Sequence, residues 1–171
     1  MGAAYADDAS PVASTGFLIV VAASLVALVL VILAIPYYAG QGKRVASLYT
    51  SVAGPANQAV TAEAKAYNHD QLTSLARAKA DLAKLVQTDT TFDTGIIAVA
   101  FHPSAASHAA ARLVNADLAR IKLFRQQEKS TTLRKLQSFD KRDQAANAVV
   151  EAQAQQTRTA LGLPPTSGQL Y

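Results

Sequence analysis

From Ala9 to Gly42 the chain runs 34 residues without a charged side chain, in a protein of 171. Inside that gap, Gly16 to Ile35 makes 20 consecutive residues, 14 of them Leu, Ile, Val or Phe. As a helix this length rises about 30 Å, the thickness of a bilayer's hydrocarbon core. Each large apolar residue favours insertion by roughly 0.3–0.6 kcal/mol, so the segment predicts a membrane-spanning helix from Gly16 and Phe17 through Ser24 to Ile35. Pro36 stops the run. Tyr37 and Tyr38 fall where an interfacial aromatic belt belongs, and Lys43 and Arg44 follow as charged anchors. A buried core helix is usually shorter and carries a polar stripe. A cleaved signal peptide would need a basic start, a shorter apolar region and a small-residue cleavage site, none of which is evident.

The expectation is therefore a single-pass membrane protein with the lipid bilayer as its first partner. Its orientation stays open. Met1 to Thr15 holds two Asp and no basic residue, so the positive-inside rule leans towards a cytoplasmic location for the residues after the span. The Ala, Thr, Gln and Ser content of that region would equally suit an exported domain. No ionisable residue lies in the span, which argues against a channel or proton relay. Ala23 and Ala27 form a small-xxx-small pair that would let another helix approach.

Gly16-Phe17-Leu-Ile-Val, the apolar helix and Ala34-Ile-Pro-Tyr-Tyr38 together resemble the start of a type IV pilin over 23 residues. The resemblance implies cleavage after Gly16, Phe17 as a mature N-terminus and assembly into a filament. The sequence departs from that pattern in lacking a basic leader, and Val21 stands where the family carries a glutamate.

Past the span the composition changes. Residues 43–171 carry 16 basic and 10 acidic side chains, net +6. Cys is absent, which excludes disulfides, thiolate zinc sites and a Cys nucleophile. The reading divides the chain into a polar tail (1–15), the span and its interfacial end (16–38), a juxtamembrane hinge (39–54), a helical domain (55–161) and a C-terminal tail (162–171). Ala39-Gly-Gln-Gly42 reads as a joint, Lys43 to Val52 as a short helix, and Gly54-Pro55 as a break before a new helix. Asn68-His69-Asp70-Gln71 has capping-box spacing. Leu72, Leu75, Ala76, Lys79, Leu82 and Val86 then keep helical rhythm. Thr88–Thr94, rich in small polar side chains, predicts a loop. Gly95–Phe101 predicts a short buried element or a surface loop. From Ser104 to Leu161 there is no Gly or Pro, and Ser130-Thr131-Thr132 is the expected bend. Gly162 predicts a helix stop followed by a non-helical tail. The fold class is all-α: one N-terminal transmembrane helix followed by a long-helix hairpin or a three- to four-helix bundle. Ala-rich stripes bury little area per residue, so self-association or another protein subunit is expected to complete the core.

Reactive motifs are scarce. His69, His102 and His108 have no metal-ligand spacing, and no E-x-x-H, G-x-S-x-G, P-loop or dinucleotide fingerprint occurs. The expectation is no catalytic residue, no cofactor and no metal site. A basic stretch between Arg112 and Asp143 includes Arg120, Lys122, Arg125 and Lys129, then Arg134, Lys135, Lys141 and Arg142. These are expected on a solvated helix face, able to meet anionic lipid headgroups or an acidic partner. Interleaved acids and few aromatics argue against nucleic acid. Function on this reading is that of a non-enzymatic structural or accessory subunit of a membrane assembly. A membrane-anchored sensor or ligand-binding bundle, with Gly95–Phe101 lining a pocket, is the alternative.

Overall fold

The computed structural model describes residues 42–101, 106–166 and 169–171. The expected span (Gly16, Phe17, Ser24, Ile35), the belt residues Tyr37 and Tyr38, and the pilin-like segment lie outside them. Among the described residues, no helix is long and apolar enough to cross a membrane. Their regular secondary structure is helix, with no strand among the described residues. They form α1 (residues 42–70), α2 (Leu75–Phe101), α3 (Ser107–Gln127), the short α4 (Leu133–Gln137) and α5 (Asp140–Ala160).

A repeating three-and-four spacing builds the bundle. On α2 the buried positions include Leu82, Leu85, Asp89, Phe92, Ile96 and Val99. On α3 they include Ala110, Leu113, Asp117, Arg120, Phe124 and Gln127. Alternating steps of three and four keep one seam turned inward and favour near-antiparallel packing of long helices. Val45, Tyr49, Ala53, Ala56, Val60 and Tyr67 supply the matching stripe on α1, and Val150, Ala154 and Thr157 that on α5.

Three expectations about breaks are corrected. α1 runs unbroken through Gly54-Pro55, so the helix expected over Lys43 to Val52 does not end there and continues to residue 70. A proline inside a helix costs about 3 kcal/mol. The buried stripe continues in register on both sides of Pro55, and its burial outweighs that cost. Gly54 has no Cβ to clash with the proline ring.

Thr88–Thr94 is not a loop but the middle of α2. The hydroxyls of Thr90, Thr91 and Thr94 each donate to the carbonyl four residues earlier, at 2.7, 2.9 and 2.8 Å. The intervening Asp89, Phe92 and Asp93 face the core. Gly95–Phe101 is the last part of α2, with Ile96 and Val99 buried and Ile97 and Phe101 exposed. At Gly95 α2 lies close against α1: an added Cβ would lie 2.6 Å from Val52 Cγ1.

The expected bend is present. α3 ends at Gln127, and Thr132 caps α4 by accepting a hydrogen bond from the Lys135 amide. Gly162, at φ 69°, ends α5, and the Leu163 amide returns to the Arg158 carbonyl at 2.9 Å. The following segment is non-helical, as expected, but it is not a loose tail. Arg158 Nε donates to the Pro164 carbonyl at 3.0 Å, and Tyr171 is buried in the core.

Candidate functional site: a buried Asp–Arg–Tyr cluster

The centre of the bundle is polar. α2 contributes Asp89 and Asp93 one turn apart, α3 contributes Asp117 and Arg120, and Tyr171 enters from the final segment. Arg120 is 1% exposed. Its Nη2 lies 2.7 Å from Asp89 Oδ1 and 2.8 Å from Asp117 Oδ1. The Tyr171 hydroxyl lies 2.9 Å from both Asp89 Oδ1 and Asp117 Oδ2, and accepts a hydrogen bond from Arg120 Nη2. Phe92 stacks on the Tyr171 ring with centroids 3.6 Å apart, 19° from parallel. Asn57 of α1 reads the Tyr171 backbone in both directions: its Nδ2 donates to the carbonyl and its Oδ1 accepts from the amide, each at 2.9 Å. Arg120 Nη1 reaches on to Asn147 of α5 at 3.3 Å. The cluster thus ties together the final segment and all four long helices.

Three carboxyl groups share one guanidinium in a buried setting, so ionisation of all three is opposed. Burial raises Asp89 to about 7, against the pull of Arg120. Burial, reinforced by the carboxylates of Asp117 and Asp89, raises Asp93 to about 8. Asp117 is raised as well, again by burial. Neither Asp93 oxygen has a hydrogen-bond partner among the described residues. A single hydroxyl proton cannot serve two carboxylates, so the Tyr171 contacts fit a cluster in which one of Asp89 and Asp117 carries a proton. The cluster holds protons near neutral pH rather than presenting free charge.

A second polar layer lies beside it. The Tyr67 hydroxyl approaches Gln127 Oε1 at 3.5 Å, and Gln127 Nε2 donates to Asp143. Burial raises Asp143 to about 6, opposed by the Gln127 hydrogen bond. A cleft of about 490 Å³ opens here, lined among others by Tyr67, Arg120, Phe124, Asp143 and Asn147.

The basic stretch does not form one face. Arg120, expected on the surface as a partner or lipid contact, is instead the buried centre of the ion-pair cluster. The reason is that Asp89 and Asp117 supply the counter-charge that a buried guanidinium needs. Lys122 and Arg125 are exposed on α3, Lys129 in the following turn, Arg134 and Lys135 on α4, and Lys141 and Arg142 on α5. The bend at 130–132 distributes them over separate elements. Lys43 and Arg44 are exposed at the start of α1.

The residues missed by sequence reasoning are Asp89, Asp93, Asp117, Asn57 and Tyr171. A signal existed: acids at the apolar-seam positions of α2, and an acid with a base three residues later on the seam of α3. Among the described residues no group of three or more His, Asp or Glu is arranged to hold a metal ion. No family model, curated protein or solved structure matches this chain.

Proposed function

We propose that the chain is a non-enzymatic, single-pass membrane protein whose helical bundle serves as a structural or accessory subunit of a larger membrane assembly. The observation that carries this reading is the outer face of α5. Ala145, Ala148, Val149 and Ala152 are exposed there, Val149 by 53%. Small side chains let a second helix approach closely, and Val149 would gain burial at such a contact. Arg120, Asp89, Asp117 and Tyr171 of the bundle centre are paired with one another, which further supports a binding role. The apolar run Gly16–Ile35 supports the anchor.

Extracted in mild detergent, the full chain should elute as a species larger than the monomer. Val149→Arg should shift it to the monomer with helicity unchanged. A wild-type monomer without partners would end this reading. A reporter fused after Tyr171 assigns the compartment of the bundle. A second reading, a membrane-anchored ligand-binding bundle, is favoured by the cleft beside Tyr67 and Asp143. A small molecule that raises the melting temperature of wild type but not of Tyr67→Ala would support it.

A further inference from the structure

The bundle has two chemically different ends. α1 and α2 run antiparallel, with Thr88 Oγ1 bonded to Glu63 at 3.0 Å and Gly95 against Val52. Extending that register six residues, about 9 Å along the helix, places Phe101 level with the first turns of α1. α3 begins a few residues later in the chain. The last turn of α5 reaches the same end, since Arg158 lies over the Tyr49 ring at 6.0 Å. Residues 42–49, 97–101, 107–112 and 155–163 therefore form one end of the bundle. They contain Lys43, Arg44, Arg112 and Arg158 and not a single Asp or Glu. Elsewhere on the bundle, acids and bases are mixed.

This cationic end also carries unpartnered apolar surface. Phe101 is 81% exposed, the highest value of any large apolar residue described. Ile97, one turn earlier on the same helix face, is exposed too, as is Leu48 on α1. Only six residues separate Ile35 from Gly42 in sequence, at most about 25 Å of extended chain. On the anchored reading, the end bearing Lys43 and Phe101 is the end tethered to the bilayer.

We propose that this end docks on the surface of an anionic bilayer. Phe101 and Ile97 enter the headgroup region while Lys43, Arg44 and Arg112 meet lipid phosphates. This rests on the membrane-anchored reading above. Of the basic stretch between Arg112 and Asp143 it keeps Arg112 alone, and it adds the apolar side chains of α2 to the expected anchors Lys43 and Arg44. A bare apolar side chain beside cations and without acids matches an interface that is apolar below and negatively charged above.

The chain has no tryptophan, so variants with a single indole report position cleanly. Phe101→Trp, Leu72→Trp and Leu25→Trp would be made in the full chain. Leu72, 68% exposed, lies in the α1–α2 turn at the opposite end, and Leu25 lies within the apolar run. Each variant would be reconstituted in phosphatidylcholine vesicles with and without phosphatidylglycerol, then repeated with brominated phosphatidylcholine as quencher. The expected result for Phe101→Trp is blue-shifted, quenched emission, more strongly quenched with phosphatidylglycerol. Leu72→Trp should give solvent-like, unquenched emission. Quenching of Leu25→Trp without quenching of Phe101→Trp, or equal quenching of Phe101→Trp and Leu72→Trp, would overturn the docking proposal and leave the anchor standing. Quenching independent of phosphatidylglycerol would overturn the role of the cations. Protein that does not float with vesicles, with Leu25→Trp unquenched, would overturn the anchor and this inference with it.

Discussion

Asp93→Asn isolates the cost of the crowded carboxyl cluster. Asp93 is 7% exposed and raised from 3.8 to about 8 by burial and by the carboxylates of Asp117 and Asp89, with Arg120 pulling the other way. Because its folded value is the higher one, the native state binds one more proton than the unfolded chain between those two pH values. Stability from this group is complete below about pH 4 and is lost as pH rises towards 8, at about 1.4 kcal/mol per pH unit. From pH 5 to pH 8 that is a loss of at most about 4 kcal/mol, reduced by solvent screening of the neighbouring charges, against the ~5–15 kcal/mol of an ordinary domain. Asp89 and Asp117 are raised by burial too, so the three carboxyls titrate as one coupled cluster and the fall in stability belongs to the cluster.

The assay is urea unfolding of the full chain in mild detergent, followed by far-ultraviolet circular dichroism from pH 5 to 8.5. Wild type should lose stability steadily over that range. Asp93→Asn cannot titrate, so its slope should be shallower by one proton, and the variant should overtake wild type near the alkaline end. Stability that stays level or increases from pH 5 to 8, or an Asn variant with the wild-type slope, would falsify the argument that burial keeps Asp93 protonated.

Four further outcomes are expected. Tyr171→Phe keeps the stack on Phe92 but leaves Asp89, Asp117 and Arg120 without the bridging hydroxyl, and should cost about 1–3 kcal/mol in the same denaturation assay. Arg120→Met leaves the buried acids without their cation. It should cost about 3–5 kcal/mol near neutral pH, and much less at pH 4, where protonated carboxyls no longer need the guanidinium. Gly95→Ala should lower the unfolding free energy by about 1–3 kcal/mol despite the better helix propensity of Ala, because Val52 occupies the space. Lys122→Ser and Arg125→Ser, on the exposed face of α3, should change stability by less than about 0.5 kcal/mol.

The helical class, the bend at 130–132 and the stop at Gly162 were legible because each depends on local chemistry. The Ser and Thr side chains compete for backbone hydrogen bonds at the bend, and glycine reaches positive φ at the stop. Pro55 and Thr88–Thr94 misled for the same reason in reverse. Their local preferences oppose helix, but each lies within a stripe whose burial against neighbouring helices outweighs a few kcal/mol. The threonines of α2 meet their hydrogen-bonding needs within the helix itself. Arg120 misled because a base in a basic stretch resembles its neighbours until the partner helix is placed. Only then do the acids on its own helix and on α2 appear together.

Hydropathy and periodicity alone determined that residues 16–35 form an apolar run long enough to cross a bilayer, and that the described residues are mainly helical. Both are properties of one segment at a time. The tertiary structure decided which charges are surface and which are core, that Tyr171 returns to the centre of the bundle, and that one end of it is cationic and apolar. Those depend on pairs far apart in the chain, such as Asn57 with Tyr171 and Asp89 with Arg120. A buried charge is tolerable only beside its counter-charge, and which counter-charge it meets is a matter of packing.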